Sequence, residues 1–97
     1  MAVVTPGGAS RGNALAAIAA EGGGPVRSWA NGPGDRYGVH DHDRAKILYC
    51  VEGSIVFHVD GDDLALAAGD RLDLPAGTAH AATVGRSGCA CVEAWGP

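Results

Sequence analysis

Basic residues are scarce in this chain: seven Lys and Arg stand against eleven Asp and Glu, for a net charge of -4. No stripe of positive charge can then follow a phosphate backbone or an anionic bilayer, so neither nucleic acid nor a membrane is expected as a partner. Cysteine is scarce too. Cys50, Cys89 and Cys91 lack the paired Cys-x-x-Cys spacing of zinc modules, and an odd number cannot complete a disulfide framework, so a reducing, cytoplasmic setting is expected. Long apolar runs are missing: Ala14 to Ala20 is too short to span a bilayer and has no basic leader before it, so the whole chain is expected to be the mature, soluble protein. No Gly-rich phosphate loop, nucleophile elbow or dinucleotide fingerprint occurs, and Ser10, Ser28, Ser54 and Ser87 sit in no motif that would make one a nucleophile.

What remains is enough for one small core. A chain of 97 residues has no material for a second, so residues 1-97 are expected to form a single domain: an N-terminal extension over 1-30 and a barrel core over 31-97. In the extension, the Ala-rich segment between two Gly/Pro clusters predicts a helical turn or two, capped by Asn13 and ended at Gly22 to Gly24. From Tyr37 the pattern is all-β. The segment Lys46 to Gly61 is rich in β-branched and aromatic residues, with a hairpin predicted at Glu52-Gly53 and another turn at Asp60 to Asp63. Leucines 64, 66, 72 and 74 alternate as on strands with one buried face, and a last pair of strands is predicted around Gly85 to Gly88. Short strands with Gly-rich turns imply a sandwich or a small barrel.

The chemistry concentrates in histidines. His40 and His42 are one residue apart, so on a strand their side chains leave the same face and can meet one ion; His80 follows far along the chain. Neutral imidazoles suit Zn, Fe, Mn, Ni or Cu, and three such ligands leave positions open for water or substrate.

At these residues the chain resembles the cupins. Gly34, five residues, His40-x-His42, three residues, Lys46, six residues and Gly53 reproduce the first cupin motif except at Lys46, where the family usually has Glu. Gly69, five residues, Pro75-x-Gly77, two residues and His80 give the second, with Val84 where Asn is common. The resemblance spans about Asn31 to Trp95 and implies an all-β double-stranded β-helix, a jelly-roll barrel, with a short helical segment in front. It also implies that His40, His42 and His80 ligate a divalent transition metal, Fe(II), Mn(II), Ni(II) or Zn(II). Cupins include dioxygenases, isomerases, epimerases and lyases, seed-storage proteins and metal-free sensing domains. The expectation is therefore a metal-binding cupin, an enzyme of dioxygenase or isomerase/lyase type acting on a small polar or anionic molecule. The alternative is a non-catalytic ligand-binding or sensing module. A homodimer is expected from the family and from the thin core.

Lys46 at the Glu position reverses the charge beside the ion. It is read as a clamp for a substrate carboxylate or as a catalytic base, against the ordinary alternative of a solvated lysine. Pairing across the predicted hairpins puts Lys46, Leu48, Cys50, Ile55, Phe57 and Val59 on the histidine face and His58 on the other. Across the last hairpin, His80 is placed opposite Glu93 and Ala82 opposite Cys91. Glu93 is then a support for His80, a counter-ion for Lys46 or a displaced acidic ligand, unless Val92 faces inward and leaves it in water. Lys46 and Glu93 are the candidate catalytic residues; Lys46, Leu48, Phe57 and Cys91 are the candidate substrate contacts, although packing is the ordinary role of Cys50 and Cys91.

Overall fold

The computed structural model describes residues 1–97. In chain order the elements are strand β1 (Val3–Thr5), helix α1 (Arg11–Glu21), then β2 (Arg27–Asn31), β3 (Arg36–His40), β4 (Lys46–Val59), β5 (Asp62–Ala67), β6 (Arg71–Leu74) and β7 (His80–Trp95). All pairings are antiparallel, and the strands form a β-barrel built on β4 and β7. β4 pairs with β5, β6 and β7, whereas β7 also takes β2 and β3, and β1 closes the order beside β6. No helix is long and apolar enough to cross a membrane.

The predicted turn at Asp60 is present. Asp60 (φ 52°) and Gly61 (φ 82°) both adopt positive φ between Val59 and Asp62, the two-residue geometry whose twist matches paired strands. The predicted hairpins at Glu52-Gly53 and Gly85 to Gly88 are not. At both places the chain bends but continues as one strand, with register shifts in the β4–β7 ladder between Cys50 and Glu52 and between Gly53 and Ile55. Gly53 makes the bend possible: its φ is 68°, and a Cβ there would lie 2.0 Å from the carbonyl oxygen of Gly88.

A bulge, like a two-residue turn, switches which alternate residues point inward. Leu48 and Cys50 face the core before the bend, then Ile55, Phe57 and Val59 after it; on β7 Ala82 and Val84 are followed by Cys89 and Cys91. The inward faces expected from hairpin pairing are therefore the observed ones, although the pairing that led to them is not.

The N-terminal segment is tied in more closely than an extension. β1 and β2 are hydrogen-bonded into the sheet. α1 is three turns long, and Ser10 caps it, its Oγ accepting from the Asn13 N–H, so Asn13 lies inside the first turn instead of capping it. Gly22 ends the helix as predicted. Ala14 and Ile18 bury against Ile47, Tyr49, Val92 and Ala94 on the outer face of β4 and β7, a second apolar cluster separate from the barrel interior. Arg71 fastens the helix end, its guanidinium bonded to both carboxylate oxygens of Glu21 and also to Asp73 and Tyr49.

Candidate metal centre

His40 ends β3 and His80 begins β7, and the two are register partners, so the sheet itself places them side by side. His42 lies on the connection to β4, held against the second motif by the Gly77 N–H, which donates to the His42 carbonyl at 2.7 Å. The turn at Gly34 is fixed in the same way, its N–H reaching the Val84 carbonyl. The three rings gather with centroids 4.3 to 5.3 Å apart, and one potential ligand atom from each lies within 4.8 Å of the others.

Their tautomers follow from the hydrogen bonds. His40 Nδ1 is 2.7 Å from the Gly38 carbonyl and His80 Nδ1 is 2.9 Å from the Thr78 carbonyl. A carbonyl only accepts, so both rings carry their proton on Nδ1 and offer the lone pair of Nε2. Burial lowers the pKa of both His42 and His80, and in His42 the Lys46 charge adds to the effect; both shifts favour the neutral form that ligation requires. Three neutral nitrogen donors at this spacing fit a borderline divalent ion.

Lys46 is not a solvated lysine. Its Nζ stands 3.1 Å from Glu93 Oε2 and 3.4 Å from His42 Nε2, and it lies over the Trp95 ring. Glu93 is buried and accepts three donors: Trp29 Nε1 at 2.7 Å, Arg27 at 3.1 Å and Lys46. Of the alternatives for Glu93, the structure selects the counter-ion of Lys46. No buried side-chain polar atom lacks a partner.

Beside the histidines opens a cavity of about 270 Å³, lined by His40, His80, Lys46 and Glu93 at its polar end and by Leu48, Phe57, Leu74 and Ala82 deeper in, with Trp29 and Tyr37. Leu48 and Phe57 thus line this cavity. Cys91 does not, which corrects its place among the substrate contacts. Leu48 and Glu93, which line the cavity, pair across β4 and β7, and Cys91 pairs with Cys50 two rungs further on, fully buried in the apolar core. His58 points away from the site, bonded to Asp63 and Thr83. Asp41 and Asp43 are exposed, as their alternation with the histidines predicts.

Arg27 and Tyr37 were not anticipated. Arg27 and Trp29 reach Glu93 because β2 pairs with β7, Arg27 opposite Glu93 and Trp29 opposite Cys91. The alternation of Val26 to Ala30 was the available sign of that strand, obscured by the Gly and Pro around it.

Comparison with curated proteins gives no match. Solved structures give many. The fold is similar to an RmlC-like cupin from Shewanella frigidimarina, 28% identical with a TM-score of 0.66 over 74% of this chain and 64% of the other. It is similar to a structure of the DMSP lyases RdDddP and RnDddQII, 32% identical with a TM-score of 0.64 over 74% of this chain and 36% of that one. KdgF from Halomonas sp., 23% identical with a TM-score of 0.67 over 74% of this chain and 68% of the other, shares the fold. The chain thus spans less than two thirds of the first of these relatives and little more than a third of the lyase chain. The cupin domain model matches residues 29–91, the stretch that holds both histidine motifs and most of the barrel, and the chain belongs to the cupin domain family.

Proposed function

We propose that His40, His42 and His80 hold one divalent transition metal, Fe(II), Mn(II), Ni(II) or Zn(II), and that the chain is a metal-dependent enzyme for a small anionic molecule. The observation that supports this reading is the convergence of three ligand nitrogens within 4.8 Å, two of them oriented by backbone carbonyls. A metal bound there would act as a Lewis acid on a substrate carboxylate or carbonyl, or as a site for oxygen chemistry. Lys46 binds and orients the anionic group from beside the ion. Glu93, shared among Lys46, Arg27 and Trp29, holds the ammonium in place. Leu48, Phe57, Leu74 and Ala82 receive the apolar part and exclude water. The likeness to a structure of lyases favours proton abstraction and elimination over oxygen insertion.

Elemental analysis of untagged protein tests the metal: about one ion per chain is expected, with loss in His80→Ala. Elimination assays on small carboxylates, run beside oxygen-consumption assays, separate the two chemistries.

A second reading has its own support. Lys46 donates toward His42 Nε2, and the polar groups of the site are mutually satisfied, which suits a metal-free module that binds a small polar ligand. Thermal shift distinguishes them: stabilisation by metal ions supports the enzyme, and stabilisation by metabolites alone supports the module. A homodimer and a reducing compartment complete the proposal, the latter consistent with three free thiols. Light scattering coupled to size exclusion tests the dimer.

A further inference from the structure

All three cysteines of the chain are free, buried and part of one core cluster. Cys50 stands opposite Cys91 across β4 and β7. The Cys50 N–H donates to the Asp70 carbonyl and its own carbonyl accepts from the Gly69 N–H, so its backbone bonds point away from β7. Cys50 and Cys91 are therefore a non-hydrogen-bonded antiparallel pair, the type whose Cα atoms stand about 4.5 Å apart with side chains closest. That separation falls inside the range of about 4.4 to 6.8 Å that a disulfide needs. Cys89 shares the inward face two residues before Cys91, in the same core cluster. Cys89 also lines a separate cavity of about 260 Å³, formed with Asn31, Glu52, Gly53, Ser87 and Gly88 at the bend of both long strands. Of the three, Cys89 is the residue that borders this cavity, at 6% exposed, whereas Cys50 and Cys91 are fully buried.

We propose that Cys50, Cys89 and Cys91 form a peroxide-reactive oxidation site whose stable product is a Cys50–Cys91 disulfide joining β4 to β7. The Cys89 sulfur attacks one oxygen of hydrogen peroxide, the O–O bond breaks, and the departing hydroxide leaves as water, giving a sulfenic acid. Cys91 displaces the hydroxyl of that acid as a second water, forming a Cys89–Cys91 bond. Cys50 then attacks Cys91 and releases Cys89 as a thiol. In sum, two thiols lose two protons and two electrons, and the peroxide becomes two waters. Exchange runs toward Cys50 because a bond between alternate residues of one extended strand sits at the long limit of disulfide geometry with its side chains diverging, whereas the cross-strand pair falls within the range with its side chains facing each other. Burial raises the Cys89 pKa, which makes the first step slow at neutral pH.

The test treats the purified full-length chain with hydrogen peroxide in the presence of a chelator. The expected results are loss of two hydrogen atoms in intact mass, a fall from three titratable thiols to one under denaturing conditions, and a higher Tm, all reversed by dithiothreitol. A non-reducing tryptic map is expected to join the peptide with Cys50 to the peptide with Cys89 and Cys91, with fragment ions placing the link at Cys91. Cys89→Ala is expected to slow formation of this link, and Cys91→Ala to abolish it. The proposal is overturned if three thiols survive doses that oxidise the urea-unfolded chain, if the link forms at Cys89, or if sulfinic and sulfonic acids are the only products. Should Cys91→Ala fail to fold, the fragment ions of the unaltered chain decide the matter alone.

Discussion

Glu93 is the residue on which the polar end of the cavity depends. It is one buried carboxylate shared by an indole, a guanidinium and an ammonium, and Lys46, with its side chain 11% exposed, has no other acidic partner. Removing one side of a buried pair leaves the other charged and dry. Glu93→Gln is expected to lose about 3 kcal/mol of stability in urea titration, and Lys46→Met combined with Glu93→Leu to recover most of it. Lys46 also bears on the proposed metal. Its ammonium faces the His42 nitrogen and repels a dication, so Lys46→Glu is expected to tighten Zn(II) or Ni(II) binding at least about tenfold in calorimetric titration. An unchanged affinity would mean that the lysine moves aside freely. At this scale the sequence was informative where a motif fixed spacing: His40, His42, His80 and Lys46 were all marked. It was silent on Arg27, whose role comes only from the strand that pairs across from Glu93.

Two elements carry consequences of their own. The bend of β4 requires a left-handed residue packed on the Gly88 carbonyl, and Gly53→Ala supplies a Cβ with no room at 2.0 Å. The variant is expected to unfold or to lose several degrees of Tm, whereas Gly38→Ala, where a Cβ meets nothing within 4 Å, is expected to be mild. Helix α1 docks through Ile18, 1% exposed; Ile18→Ala is expected to cost about 3 kcal/mol and Ser10→Ala about 1 kcal/mol by chemical denaturation. Its far end responds to acid. Arg71 lowers the pKa of Glu21, so the contribution of this contact is present above the ordinary value of 4.5 and is lost as pH falls through the lowered one. Exchange protection of the helix amides is expected to fall over that window in the native chain and to stay flat in Glu21→Gln. The inward faces of these strands were legible and the connections were not. Alternation records which side a residue faces, and a bulge switches sides as a tight turn does, so Glu52-Gly53 carries the same pattern in either case.

For the molecule as a whole, composition and the two motifs were enough to give the family, because the histidine spacing is imposed by strands that must bring distant segments to one end of a barrel. The course of the first thirty residues was less legible. β1 and β2 are short and set among Gly and Pro, and their place in the sheet depends on partners, Asp73 and Glu93 among them, that lie far along the chain.

The central position of β7 bears on how the protein is made. β2 and β3 have no hydrogen-bonded neighbour other than β7, and β4 is paired with it from Lys46 to Val59. A ribosome that has delivered residues 1 to 79 has therefore released two strands with nothing to join and two imidazoles still waiting for their third. Assembly of the barrel, and with it the meeting of the three imidazoles, must therefore await translation of its last long strand.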